Sequence, residues 1–409
     1  PSLVKYSVDS LDDSGQTVGT LGAFNTVGSI IGTFVPTFVT IPAVGTSITF
    51  LIFSGILIIL SVIYFICQHT GKKKIVASVL IFILCCGLGY SDSFAFWQKD
   101  LTYEGESIYN YLQVSETDRQ VVLSTNVLFG VQSVTMKDKG LTGMYYDTAL
   151  AAPALADNAN SALILGMGTG TYARQLKQYY PKMNITGVEI DQKITDLAGE
   201  YFDEPADIPV TTYDGRAWLA ASHDKYDVIM VDAYQDITIP FQMSSTEFFT
   251  MVREHLNPGG VMVVNMNMIS DGQGSINEAL SDTIASVFGN GNTLTADVPN
   301  TTNRELFAKK PGSGSEENSM QQASKALNLR ETTYERTGSE DLEWYMEEVA
   351  SRFRKVNEPD SASTILTDDK APVEVLGMHA IDQIIADEAG PYRQILKDEG
   401  FGGLLRAVQ

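Results

Sequence analysis

The chain has 409 residues, of which 28 are basic and 50 acidic, giving a net charge of −22 and a mean hydropathy of −0.01. A hydrophobic fraction of 44% excludes a disordered chain, and the acidic balance excludes a nucleic-acid partner held through a basic face. The charge is unevenly placed: residues 1–98 hold four basic and four acidic side chains, so the whole −22 belongs to residues 99–409.

From Ser14 to Gly71 there is no Asp, Glu, Lys or Arg. Two apolar runs, 20–43 and 47–68, are split at Pro42-Ala43-Val44-Gly45, and each reaches the roughly 20 residues a helix needs to cross a bilayer. A third run, 75–88, follows Lys72-Lys73-Lys74 and fades into Gly89-Tyr90-Ser91-Asp92; it either spans or lies in the interface. Residues 1–98 are therefore predicted as a transmembrane helical segment of two to three helices in a multi-pass cell-membrane protein. Its expected partners are membrane lipid and further transmembrane helices, which the small residues Gly19, Gly22, Gly28 and Gly32 would let approach closely. The runs are too long and too many for a signal peptide, and with Pro1 in place of Met the sequence leaves open whether the chain is a fragment of a longer protein. The lysine cluster argues for a cytoplasmic loop. A full third span would then place residues 99–409 outside the cell, and an interfacial one would keep them inside.

Cys67, Cys85 and Cys86 all fall in the apolar region, so the rest has neither a disulfide framework nor thiol chemistry. The four histidines, His69, His223, His255 and His379, are scattered without metal-ligand spacing, and no metal is predicted.

Residues 99–142 read as a small antiparallel β domain with strands at 107–114, 120–124 and 130–136. Residues 143–310 then alternate β and α. Strands are predicted at 162–165, 184–188, 209–212, 226–231 and 260–265, and a late pair, 293–298 and 304–309, closes the sheet. That order predicts a doubly wound, mostly parallel α/β sheet of Rossmann-like type, with ligands at the carboxyl ends of its strands. Residues 311–340 read as a flexible linker, being rich in Gly, Ser, Glu and Asn. Residues 341–409 read as a C-terminal helical extension with helices at 342–356, 380–387 and 392–398.

The strand ends carry the chemistry. The first is followed by Gly166-Met167-Gly168-Thr169-Gly170 before a helix at 172–180, a turn that lets backbone approach a ligand at a helix N-terminus. The second ends at Glu189-Ile190-Asp191, about 20 residues on, where an acid commonly holds ribose hydroxyls; Asp191 fits a helix N-cap better than Glu189 does. The third ends at Tyr213-Asp214-Gly215-Arg216, where a carboxylate is placed to accept an adenine amino group. The fourth ends at Asp232-Ala233-Tyr234-Gln235. Gly168, Glu189, Asp214 and Asp232 at successive strand ends point together to an S-adenosyl-type nucleoside.

On these residues, with Ile239-Pro240-Phe241, Leu256-Asn257-Pro258-Gly259-Gly260 and Leu366-Thr367-Asp368-Asp369-Lys370-Ala371-Pro372, the chain resembles the spermidine synthase (polyamine aminopropyltransferase) family. It is most similar to the members fused to transmembrane helices. The resemblance implies a class I S-adenosylmethionine-dependent methyltransferase-type fold and transfer of an aminopropyl group from decarboxylated S-adenosylmethionine, as co-substrate, to a polyamine or diamine such as putrescine, with release of methylthioadenosine. It implies Asp232 as the base that takes the amine's proton. Gly166, Gly168, Gly170, Glu189, Asp214, Gly215 and Asn110 are implied around the nucleoside. Gln132, Tyr145, Tyr146, Asp147, Thr169, Tyr234 and Gln235 are implied around the amine, and a homodimer is a further expectation. Three positions depart from the family pattern: Thr169 replaces an Asp, Tyr146 a His, and Gln235 a second acid. A neutral Thr169 would not repel the carboxylate of intact S-adenosylmethionine. A methyltransferase of a small acceptor therefore stays open as an alternative, as does a non-catalytic polyamine- or nucleoside-binding membrane protein.

Overall fold

The computed structural model describes residues 14–67, 71–89, 100–125, 131–203, 205, 207–233, 239–266, 274–299, 301–312 and 329–408. The chain divides into two compact units, one of Pro1–Lys99 with Tyr103–Gln113 and one of Asp100–Thr102 with Val114–Gln409.

In the first unit, helix α1 (Ser14–Val35) runs through a π-helical turn at Pro36–Thr40 into helix α2 (Ile41–Cys67). The break predicted at Pro42–Gly45 falls on Gly45, whose φ of +79° only glycine adopts readily. Beyond the kink, Glu106 caps the restarted helix, accepting from the Thr46 backbone N–H at 2.7 Å and its hydroxyl at 2.6 Å. The third apolar run forms α3 (Lys72–Gly89), and Gly55 of α2 leaves room for the Phe82 ring of α3. Gly19, Gly22, Gly28 and Gly32 have nothing within 4 Å of their would-be Cβ atoms, so the face expected to pack against other helices is open.

Strand β1 (Leu101–Glu106) and strand β2 (Tyr111–Glu116) replace the single strand predicted at 107–114. The predicted span holds a turn, because the Ser107 hydroxyl accepts from the backbone N–H groups of Tyr109 and Asn110 and bends the chain there. Strand β3 (Gln120–Ser124) pairs antiparallel with β4 (Ser133–Met136).

Short helices α4 (Tyr145–Ala149) and α5 (Ala151–Leu155) lead into the main sheet of the second unit. Its elements in chain order are β5 (Ser161–Leu165), α6 (Thr171–Tyr179), β6 (Asn184–Glu189), α7 (Gln192–Tyr201), β7 (Val210–Thr212), α8 (Gly215–Ala221), β8 (Tyr226–Val231), α9 (Thr246–His255), β9 (Leu256–Met266), α10 (Ile276–Phe288), β10 (Thr293–Asp297), β11 (Arg304–Lys309), α11 (Leu329–Thr337), α12 (Glu340–Ser351), β12 (Phe353–Lys355) and α13 (Val373–Val408). The eight strands lie in the order β12-β10-β11-β9-β8-β5-β6-β7. The five from β9 to β7 are parallel, and β10, β11 and β12 join antiparallel, as the Rossmann-like reading requires. Strand β8 is buried along its whole length, which is why the central strands read as continuous apolar runs rather than alternating ones. One face packs α4, α5, α6, α11 and α12 through Leu150, Leu176, Leu329 and Met346; the other packs α9 and α10 through Phe248, Phe249 and Ile284.

Three predicted elements are corrected here. Of the stretch read as a linker, 311–340, residues 313–328 lie outside the described residues and the end holds α11, anchored by the buried Leu329 and Thr333. The helix predicted at 342–356 stops at Ser351 because Phe353 turns to pair with Ala296 at the sheet edge and stacks edge-on against Phe307. The two helices predicted near the C-terminus fall within one helix, α13, with Pro391 inside it and a kink beyond both at Gly400.

Candidate active site

The strand order reverses between β5 and β8, the crevice where doubly wound sheets hold their ligands. Both strand ends meet there: the Asp232 N–H donates to the Leu165 carbonyl at 2.9 Å. Gly166, with φ +88°, passes so close that a Cβ would lie 2.3 Å from the Asp232 carbonyl oxygen. Gly168 and Gly170 also have positive φ, and Gly170 precedes the first turn of α6. Only glycines trace this turn without strain, which is the physical content of the motif.

Glu189 closes the turn from β6. Its Oε2 accepts from the Gly168 N–H at 2.8 Å and its Oε1 from the Asp191 N–H at 3.0 Å. Burial holds its carboxyl above the usual range, opposed by these backbone donors. A carboxylate has about four acceptor directions, so with the Ile190 N–H also turned toward it capacity remains for a hydroxyl. Asp191 is the N-cap of α7, accepting from the Lys193 N–H, which agrees with the cap reading. Asp214 is likewise an N-cap, its Oδ1 accepting from Ala217 N–H at 2.7 Å, with Gly215 opening α8.

Asp232 stands at the centre of a polar row. Its Oδ2 accepts from the Tyr145 hydroxyl at 2.6 Å, and its Oδ1 accepts from the Asn265 amide at 3.0 Å. The Asn265 carbonyl accepts in turn from Asn303 at 2.9 Å. Beyond Tyr145 lie the Tyr146 hydroxyl at 2.7 Å and then the Gln132 backbone carbonyl at 2.8 Å. An ionised Asp232 leaves two hydroxyl protons for these three oxygen–oxygen contacts, so the row is complete only when the carboxyl carries a proton. Burial pushes Asp232 up to about 6, against the opposing pull of the Tyr145 and Asn265 hydrogen bonds. The arrangement holds a carboxylate near neutrality with donors that reorganise when it takes a proton, which is the requirement for a general base.

Of the other expected site residues, Thr169 is fully buried and its hydroxyl has no partner among the described residues. Asn110 lies in the turn after β1, in the other compact unit, its backbone N–H donating to Ser107. Tyr234 and Gln235 lie outside the described residues. The buried Asp147 carboxylate accepts from the Thr142 N–H and hydroxyl, both at 2.9 Å, and from the Gly143 N–H at 2.7 Å. These bonds tie it to the turn before α4, the helix that carries Tyr145 and Tyr146.

Sequence reasoning missed Asn265 and Glu305. They face each other across β9 and β11, in the row that continues from Asp232. Glu305 is completely buried and neither carboxyl oxygen has a hydrogen-bond partner among the described residues. Burial, with the nearby Asp232 charge, holds its carboxyl well above the usual range. A group whose folded pKa exceeds its unfolded one stabilises below the unfolded value and loses that contribution as pH rises. Glu305→Gln is therefore expected to gain stability over the native chain progressively between about pH 5 and about pH 8. Urea midpoints at both pH values check this; parallel curves would contradict it.

The sheet order and the glycine turn at its switch point define a Rossmann-like protein of the class I S-adenosylmethionine-dependent methyltransferase type. The spermine/spermidine synthase domain matches residues 144–310. The chain is 90% identical over 347 residues to the probable polyamine aminopropyl transferase of Bifidobacterium longum, across 85% of this chain and 78% of that one. It is 28% identical over 276 residues to the polyamine aminopropyltransferase of Corynebacterium efficiens, across 61% of this chain and 52% of that one. A solved structure of a probable spermidine synthase from Corynebacterium glutamicum is similar at 19% identity and a TM-score of 0.45, covering 64% of this chain and 98% of that one. The chain belongs to the spermine/spermidine synthase family, the polyamine aminopropyltransferases. It is therefore an enzyme of the alkyl-transferring class.

Proposed function

We propose that the chain transfers an aminopropyl group from decarboxylated S-adenosylmethionine to a diamine such as putrescine, while anchored in a membrane. The observation that carries the reading is Asp232, a carboxyl raised to about 6 between Tyr145 and Asn265 at the sheet's switch point. An alkyl ammonium, with a pKa near 10, has no lone pair with which to attack. Asp232 holds the ammonium as a carboxylate and then takes one proton from it. The freed nitrogen bonds to the propyl carbon beside sulfur, and the carbon–sulfur bond breaks with its electrons leaving on methylthioadenosine. In this reading Glu189 takes the ribose hydroxyls, Asp214 and Gly215 the adenine, and Gly166, Gly168 and Gly170 pass beside the donor. Gln132, Tyr145, Tyr146, Thr169, Tyr234 and Gln235 surround the amine end.

The test is product identity. Full-length protein with decarboxylated donor and putrescine is expected to release methylthioadenosine, and with intact S-adenosylmethionine to give little S-adenosylhomocysteine. The reverse preference would establish the methyltransferase alternative, which a neutral Thr169, with no charge to repel a donor carboxylate, favours.

A pH profile checks the role of Asp232. We expect kcat/KM to fall as pH drops through about 6, where Asp232 gains its proton. Tyr145 donates to the ionised form and pulls the value down, so Tyr145→Phe is expected to move that limb to higher pH. A limb unmoved by the substitution would contradict the assignment.

The membrane reading rests on the first unit. The stretch Gly15–Cys67 is long and apolar enough to cross a membrane. At about 1.5 Å per residue its length far exceeds one bilayer of about 30 Å, and the Gly45 kink divides it into two span-length parts. Large apolar side chains such as Phe24, Phe34, Phe50 and Leu57 are exposed along it. Hydroxyls of Thr26, Ser29, Thr33 and Thr37 donate to carbonyls one turn back, so these four donors need no water. Carbonate-resistant retention in membrane fractions, lost on deleting residues 14–89, tests the anchoring.

A further inference from the structure

The motif Leu366-Thr367-Asp368-Asp369-Lys370 has no place in the chemistry above, yet the fold draws it tightly against the donor side of the site. Leu366 is completely buried; its N–H donates to the Thr283 hydroxyl at 2.9 Å, and its carbonyl accepts from the Thr246 N–H at 2.9 Å. Thus seated, Asp368 meets Arg216, two residues after Asp214, in a two-pronged pair of 2.8 and 2.6 Å. The same guanidinium donates to the Gln242 carbonyl at 2.7 Å, and the Ser245 hydroxyl donates to Asp368 at 2.5 Å. The Asp368 N–H donates to Glu247 at 3.1 Å. Beneath this knot, Met243 and Leu165 lie 3.6 Å from where a Gly215 Cβ would be.

We propose that Asp368 is a positioning residue for the donor: through Arg216 it fixes the Asp214–Arg216 turn against the Gln242–Ser245 segment, which returns from the strand end bearing Asp232. A fork-to-fork pair fixes orientation as well as distance, which a single contact does not. The turn it orients opens α8 through the Asp214 cap, so loss of the pair frees the whole helix start. The neighbouring Asp369 is exposed and supplies an internal control. This inference rests on the proposed adenine seat at Asp214 and Gly215.

Calorimetry of methylthioadenosine on the full chain, with steady-state kinetics, tests it. Asp368→Asn is expected to weaken nucleoside binding and raise the donor KM about tenfold, with kcat within about threefold, the part-exposed pair giving less than a buried one. Asp368→Glu, which keeps the charge, is expected to recover most of the affinity, and Asp369→Asn to stay within about twofold of the native chain. Should Asp368→Asn fail to fold, Arg216→Lys, which keeps the charge and loses the fork, is expected to show the same KM rise. Native affinity in folded Asp368→Asn or Arg216→Lys, or a loss confined to melting temperature, overturns the proposal while leaving the donor reading intact. A native chain that binds no methylthioadenosine overturns both.

Discussion

Asp232→Asn is expected to lower turnover about 10³-fold while leaving the fold in place. The asparagine still accepts from Tyr145 or meets Asn265, and it occupies the same volume, so packing around it changes little. It has no basic oxygen for the amine's proton, and it removes the charge that holds the ammonium. Amine affinity is therefore expected to fall as well, and the acid limb near pH 6 to vanish from what activity remains. Steady-state rates with a thermal melt of the same sample check this. Turnover within tenfold of the native chain would remove Asp232 as the base for either donor.

Gly166→Ala is expected to cost about 3 kcal/mol or more and to abolish measurable activity. Its φ of +88° is unfavourable for any side chain, and the added Cβ would lie 2.3 Å from the Asp232 carbonyl oxygen and 2.9 Å from the Ala233 Cα. Neither neighbour is a flexible side-chain tip, so β5 and β8 must separate where the donor and the base meet. Gly199→Ala is the control: it lies within α7 with nothing inside 4 Å and is expected to be neutral or slightly stabilising. Urea midpoints of the two variants give the comparison, and equal midpoints would contradict the close-approach account.

The parallel strands were legible because burial on both faces makes them short uninterrupted apolar runs, as at Val228–Ile229–Met230–Val231. The glycine turn, Glu189 and Asp232 were legible because each ends such a run. What stayed hidden depends on distance or on context. The Tyr145 bond to Asp232 joins residues 87 apart, and no local pattern records it. Glu305 sits inside a strand where an acid reads as a solvent-facing position, yet it is completely buried. Asp147 accepts from the backbone of Thr142 and Gly143, which its residue type does not announce. Strand β12 has three residues, too few for any alternation to show. The charge reading gains a sharper form in the structure. Among the acids carrying the −22, burial pushes up the carboxyls of both Asp232 and Glu305, which lie along one row across the sheet.

The most direct test follows the acceptor nitrogen. Putrescine labelled with ¹⁵N, incubated with the full-length protein and decarboxylated S-adenosylmethionine, should show by NMR a secondary amine bonded to a new propyl carbon, one for each methylthioadenosine released. Label that stays in primary amine while the donor is consumed, or that appears in an N-methyl group only with intact S-adenosylmethionine, would contradict aminopropyl transfer.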